Sequence, residues 1–180
     1  MKPNSGSGDK GDTSIIGNRL SKGDSVIDVI GTLDELNSFI GLARSFSKDE
    51  KVGSILEKVQ NDIFLIGEEF AKIRQPMPRT KFSEENIKFL EETINDLEKE
   101  LKPINRFILP YGALPASALH VARTVCRRCE RAIVISKGTE QINELTLKYV
   151  NRLSDLLFTL ARFVNRKMEV EEKFWGPEFP

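Results

Sequence analysis

Histidine is nearly missing from this chain: His120 is the only one in 180 residues. One imidazole cannot build a His-rich zinc centre. Nor can it supply the two Glu-x-x-His motifs of a di-iron helical bundle. Cysteine is almost as scarce. Cys126 and Cys129 form a lone Cys-x-x-Cys inside a helical pattern. Without a second pair they read as two reduced thiols packed in a core, which suits a reducing compartment. Neither sign of charge is in excess, since 27 Lys and Arg meet 27 Asp and Glu. A general nucleic-acid binder or a polybasic membrane-surface protein carries a basic surplus, so neither class fits. No apolar run reaches the roughly 18 residues that span a bilayer. The polar, Gly/Ser-rich start lacks the apolar stretch of a secretory signal and the Arg-rich amphipathic character of a transit peptide. The expected location is therefore the cytoplasm.

What the chain does have is helical periodicity, on a length that suits one domain. Residues 1–31 stand apart as an arm. Ser5 to Ser14, SGSGDKGDTS, is Gly/Ser-rich with interleaved charges. Its backbone N–H groups are open to an anion, and it reads equally as a flexible tail or linker. It is not a Walker P-loop, because no Gly-Lys-Ser/Thr follows at the required spacing. Ile15-Ile16 and Val26 to Ile30 read as extended apolar segments, with Lys22 in a turn beside Gly23 and Asp24.

Five amphipathic helices follow over 32–180, giving an all-α bundle. Thr32 and Glu35 form a capping box that starts the first at Thr32. The second runs from Lys48 to Ile73, on the long 4,3 stripe Val52, Leu56, Val59, Ile63, Ile66, Phe70 and Ile73, and Pro76 and Pro78 end it. Ser83 caps the third, and Pro103 stops it. An apolar loop, RFILPYGALP, leads into the fourth over Leu114 to Ser136. The fifth spans Thr139 to Met168. The tail FWGPEFP, which holds the only Trp, reads as either a loose end or a strap across the bundle.

The fourth helix has two faces. Ala118, Ala122, Val125, Cys129 and Ala132 form a stripe of small apolar residues that admits a close neighbour. Arg123, Arg127, Glu130 and Arg131, with Arg128 alongside, form a charged face. Guanidiniums one turn apart suit a polyanion such as a nucleotide triphosphate, and they also suit plain solvation. On the fifth helix, Asn151, Asp155, Phe158 and Arg162 make a second stripe of the kind that meets another helix, subunit or ligand. Packing accounts for the bundle but not for the arm, the arginines or this second stripe. No protein nucleophile is evident, and His120 reads as a core or surface residue rather than a catalyst.

The motifs SGDKGDTS, GTLDELNSFIGLA, FILP, VARTVCRRCER and YVNRLSDLLFTLAR, in this order and spacing, resemble those of the PduO-type cobalamin adenosyltransferases. The resemblance covers most of the chain. It implies a five-helix bundle that assembles as a homotrimer, with ATP between neighbouring subunits and Mg²⁺ accompanying the ATP. It implies transfer of the 5′-deoxyadenosyl group of ATP to cob(I)alamin, with triphosphate leaving. By the same resemblance, Ser5, Gly6, Ser7, Gly8, Thr13, Ser14 and Lys22 of the arm wrap the triphosphate. Arg127, Arg128, Glu130, Arg131 and Asn151 are further nucleotide contacts. Asp34 and Arg123 pair across the subunit interface. Phe107 closes the lower face of the corrin, with Tyr111 nearby. Lys22, Arg127 and Phe107 are the residues expected to carry the reaction. Protein partners implied are a cobalamin reductase and an adenosylcobalamin-dependent mutase.

Four positions depart from the family pattern. Ser5 and Ser7 stand where Thr is usual and keep the hydroxyl. Tyr111 replaces the first of two glycines and makes the loop bulkier beside the corrin site. Cys129 replaces a more usual Ala. The rival reading is a non-catalytic bundle that binds a nucleotide or corrinoid as a chaperone or sensor.

Overall fold

The apolar stripes become five helices, and what separates them follows from capping chemistry. The structure is a computed structural model and describes residues 6, 8–16, 18–75 and 82–177. Pro76 and Pro78, expected to end the second helix, lie outside the described residues, as do Ser5 and Ser7 of the arm. A hairpin comes first: β1 (Asp12–Ile15) pairs antiparallel with β2 (Asn18–Ser21), Thr13 opposite Leu20. Helices α1 (Ser25–Phe46), α2 (Glu50–Ala71), α3 (Glu84–Glu98), α4 (Leu114–Ser136) and α5 (Glu144–Lys167) follow. Two short strands, β3 (Phe107–Ile108) and β4 (Phe174–Trp175), pair antiparallel with Phe107 opposite Trp175.

The start of α1 corrects the sequence reading. Val26 to Ile30 is helical rather than extended, and the helix begins seven residues before Thr32. Asp24 is the N-cap, its carboxylate accepting from Val26 N–H at 2.9 Å. Thr32 sits within the helix, and its hydroxyl donates to the Asp28 carbonyl one turn back at 2.8 Å, a bond open to any mid-helix Thr. The buried stripe Val26, Val29, Leu33, Leu36 and Ile40 keeps 3,4 spacing through the supposed boundary, and burial of that face decided the outcome. Asp24 also takes Arg74 from beyond the end of α2, at 2.9 and 3.2 Å, and Arg74 reaches Glu140 at 2.7 Å. Hydrogen bonds from Arg74, then from Val26, hold the Asp24 carboxyl below its usual range.

Other ends shift less. α2 is capped by Asp49 and stops at Ala71. Ser83 caps α3 as expected, and its N–H is accepted by the Asn86 side chain at 3.0 Å. α5 starts at Asn143, not Thr139, because the Asn143 side chain accepts from Leu145 N–H while Thr139 is spent in the turn that closes α4. At its far end α5 stops in a two-bond wrap: Val170 N–H bonds the Asn165 carbonyl and Glu169 N–H bonds that of Arg166. Glu169 takes the positive φ, 56°, that this wrap requires.

α4 is the central helix. It packs between α1 and α5, with α2 outside α1 and α3 outside α5. All five members of its small-residue stripe are buried, which is what close approach on both flanks requires. A buried polar knot ties the outer helices in: Asp62 of α2 accepts from Lys58 at 2.5 Å, Asn86 of α3 at 2.8 Å and Tyr149 of α5 at 3.1 Å. Both cysteines are free and buried. Burial lifts both thiols, Cys129 to about 12, so they are inert packing residues at neutral pH.

Candidate active site

α4 carries Arg123 and Arg127 onto a cleft of about 550 Å³ between α3, α4 and α5, lined also by Arg152, Glu91, Asp155 and Phe158 among others. The charged faces read from the sequence on the fourth and fifth helices therefore meet. Not every arginine is free. Arg128 is paired with Glu35 of α1. Glu130 accepts from the Asn151 amide at 3.0 Å, so this pair links α4 to α5. Arg152 is held by Glu91 at 3.1 Å and Asp155 at 3.2 Å. Arg127 and Arg131 form no ion pair among the described residues, which leaves them available to an anion.

Arg123 is the unusual member. Its Nε is buried without a hydrogen-bond partner. Burial lowers its pKa first, and the neighbouring charge of Arg127 lowers it further. A guanidinium so placed needs an acceptor from outside the chain. One turn before it lies His120, 3% exposed, with neither ring nitrogen bonded. Burial, then the Arg123 charge, push His120 down to about 4, so it is neutral and is no acid–base catalyst here. Asp34 is exposed on α1, and within the chain it does not pair with Arg123.

The arm forms a second half-site. Lys22 closes the hairpin, its N–H bonded to the Gly11 carbonyl at 2.8 Å. Its ammonium lies over Gly8, where a Cβ would come within 3.2 Å of Nζ and 3.4 Å of the Asp12 carbonyl. A side chain there would make the lysine's end shift by a few tenths of an ångström. Gly6 has φ of 66°. Thr13 and Ser14 lie on β1. No hydrogen bond or ion pair among the described residues joins this arm to Arg127.

Phe107 lies on β3, 61% exposed, its ring 6.3 Å from that of Trp175. Phe174 and Trp175 of the tail are thus tied down as a strap rather than loose, and Leu109 N–H adds a bond to the Lys173 carbonyl at 2.8 Å. Tyr111 is exposed on the same loop, with the Lys173 ammonium 4.5 Å from its ring centre. An exposed aromatic shelf of Phe107, Tyr111 and Trp175 offers an apolar planar ligand a place to lie. Sequence reasoning missed Trp175 here, since nothing local ties it to Phe107. It also missed Arg152 and Ser154 on the cleft, although Asp155 and Phe158 of its second stripe mark that wall. Among the described residues, no cluster of three His, Cys, Asp or Glu side chains is placed to hold a metal ion. No described helix is long and apolar enough to cross a membrane.

Comparison with known proteins agrees with this geometry. The family model described as "Cobalamin adenosyltransferase" matches residues 4–164. The chain is 40% identical to the corrinoid adenosyltransferase of Bacillus subtilis, over 93% of this chain and 88% of that protein. It is 38% identical to the corrinoid adenosyltransferase PduO of Salmonella typhimurium, over 86% of this chain and 47% of that longer protein. A variant of the PduO-type ATP:corrinoid adenosyltransferase of Lactobacillus reuteri, complexed with cobalamin and ATP, superposes with a TM-score of 0.93 at 35% identity, covering 98% of both chains. A second variant of that enzyme, complexed with ATP, superposes with a TM-score of 0.90 at 36% identity, over 97% of this chain and 100% of that one.

Proposed function

The chain belongs to the cobalamin adenosyltransferase family, and from that premise we propose that it transfers the 5′-deoxyadenosyl group of ATP to cob(I)alamin. The observation that carries this reading is the pairing of an uncommitted arginine face with an exposed aromatic shelf at the head of the same helix, α4. One feature suits a phosphate chain and the other a corrin.

The reaction explains why no protein nucleophile stands in the site. Cobalt(I) of the substrate attacks the 5′-carbon. The cobalt–carbon bond forms, the bond from that carbon to the α-phosphate oxygen breaks, and triphosphate departs with the electron pair. The protein's work is to align two substrates and to offset the charge on the leaving chain. Arg127 does the second from α4. Lys22 does it from the arm, with Gly6, Gly8, Thr13 and Ser14 supplying backbone and hydroxyl donors. Arg131 and the Glu130–Asn151 pair border the same nucleotide. Ser5 and Ser7 belong to this set by sequence alone. Phe107 excludes water and a lower axial ligand from the corrin, which favours the four-coordinate state that is easier to reduce. Mg²⁺ would accompany the ATP that carries it.

A homotrimer would complete such a site at the contact between two copies. The buried, unpartnered Nε of Arg123 and the exposed carboxylate of Asp34 support a pair formed between subunits. A reductase must deliver cobalt(I) upstream, and a mutase that consumes adenosylcobalamin follows; both would share the cytoplasm.

The test is direct. Incubated with ATP, Mg²⁺ and chemically reduced cobalamin, the protein should generate adenosylcobalamin, followed by absorbance. Yield no greater than that of a protein-free control overturns the reading, and tight binding of both ligands without turnover marks a carrier instead. Arg127→Ala should lose at least tenfold in kcat/KM while keeping its fold, because Arg127 is exposed to the cleft and absent from the core. Full activity in that variant removes Arg127 from its role.

A further inference from the structure

We propose that Asn165 is a positioning residue for the corrinoid side of the reaction: this one side chain on α5 sets where the loop bearing Phe107 and Tyr111 stands relative to the C-terminal strap. The proposal rests on the reading of that loop as the corrin site.

Asn165 is 1% exposed, near the end of α5. Its Oδ1 accepts from Ala113 N–H at 2.9 Å, and its Nδ2 donates to the Tyr111 carbonyl at 3.0 Å. The amide orientation follows from its neighbours, since a backbone N–H needs an acceptor and a carbonyl needs a donor. A third bond leaves from the backbone: the Asn165 carbonyl accepts Val170 N–H at 2.8 Å, where the chain turns out of α5 into the strap. One residue thus registers both partners of the β3–β4 pair, the loop through its side chain and the strap through its carbonyl.

The loop is built to receive this amide. Gly112 has φ of 140°, a region that favours glycine, and a Cβ there would fall inside the Asn165 amide group. Gly112 is therefore bare because Asn165 occupies the space. Ala113 is the N-cap of α4 and has no capping side chain of its own, so Asn165 also satisfies a helix-end donor that would otherwise lack a partner. The consequence reaches the shelf. Phe107 is fixed through β4, and Tyr111 is fixed through Asn165, three residues before α4 begins. Without the amide, the segment between them is anchored at one end only.

Asn165→Asp separates the two bonds. A carboxylate still accepts from Ala113 N–H, but it turns an oxygen on the Tyr111 carbonyl. The expected result is a KM for cobalamin raised about tenfold or more, with the KM for ATP within twofold of the parent. The four-coordinate cob(II)alamin signal, read by electron paramagnetic resonance with ATP bound, should shrink. Phe107→Ala is the companion measurement. If it leaves cobalamin KM and the signal untouched, the corrin reading falls and this proposal falls with it. If Phe107→Ala disturbs both while Asn165→Asp disturbs neither, the positioning role alone is overturned. Equal losses toward both substrates also overturn it, since they describe a fold defect. Amide exchange in the unaltered protein is independent of any variant's folding. Ala113 N–H should exchange as slowly as the interior of α5, and exchange as fast as an open turn overturns the proposal.

Discussion

At the scale of single residues, His120 and Asp62 show two ways of burying a polar group. Asp62 is satisfied on both oxygens by three donors from three helices. His120 has no partner and stays neutral instead. That choice makes stability depend on pH. The folded pKa of about 4 lies below the ordinary 6.5. Between those values the unfolded chain takes up a proton that the native state refuses, so stability is full above pH 6.5 and falls as pH drops toward 4. Between pH 7 and pH 5 this single group should cost about 2 kcal/mol, read from denaturant midpoints. His120→Leu should abolish that part of the slope. The sequence showed that one histidine was too few for a zinc or di-iron centre. It could not show that both ring nitrogens would be orphaned, because that depends on which helices close over the ring.

Among the elements, helix interiors were legible and helix ends were not. The 4,3 stripe fixed the core face of α2 because burying each Leu or Ile is worth about 1.5–3 kcal/mol, and the sum over the stripe exceeds any cap. The same reasoning explains the error at Thr32, where a capping box of plausible form lies inside a longer buried stripe. The second stripe on α5 was read as Asn151, Asp155, Phe158 and Arg162. Continued by three residues it reaches Asn165, so the signal for that amide was present and stopped one step short. The pairing of β3 with β4 had no local signal, since it joins positions far apart in sequence. A prediction belongs at this scale. Glu169 bears a positive φ that glycine adopts without penalty, so Glu169→Gly should raise stability by about 0.5–1 kcal/mol in thermal or urea unfolding.

For the whole molecule, the described chain is a complete bundle with an incomplete site. Its core is closed, yet Arg123 lacks an acceptor, and the arm's lysine and Arg127 are not joined. The proposed contact with another copy would supply Arg123 with an acceptor. If Asp34 of a neighbour meets Arg123, the pair is buried, and removing one member should destabilise the assembly by about 3–5 kcal/mol. Arg123→Ala is then expected to shift sedimentation toward the single chain and to lower the melting temperature. Unchanged melting together with unchanged assembly would count against the pair. The two half-sites were legible in sequence as unexplained residues. Which copy supplies which part was not, because composition and spacing carry no such information.

The chain's sole indole sits on the strap, 64% exposed, beside Phe107. Corrins absorb in the near-ultraviolet and visible, where tryptophan emits, so a macrocycle settling on that shelf becomes an energy acceptor at close range. Emission from Trp175 should dim when cobalamin is added and hold steady with ATP alone. Docking of the tetrapyrrole could then be timed by fluorimetry, without an attached label.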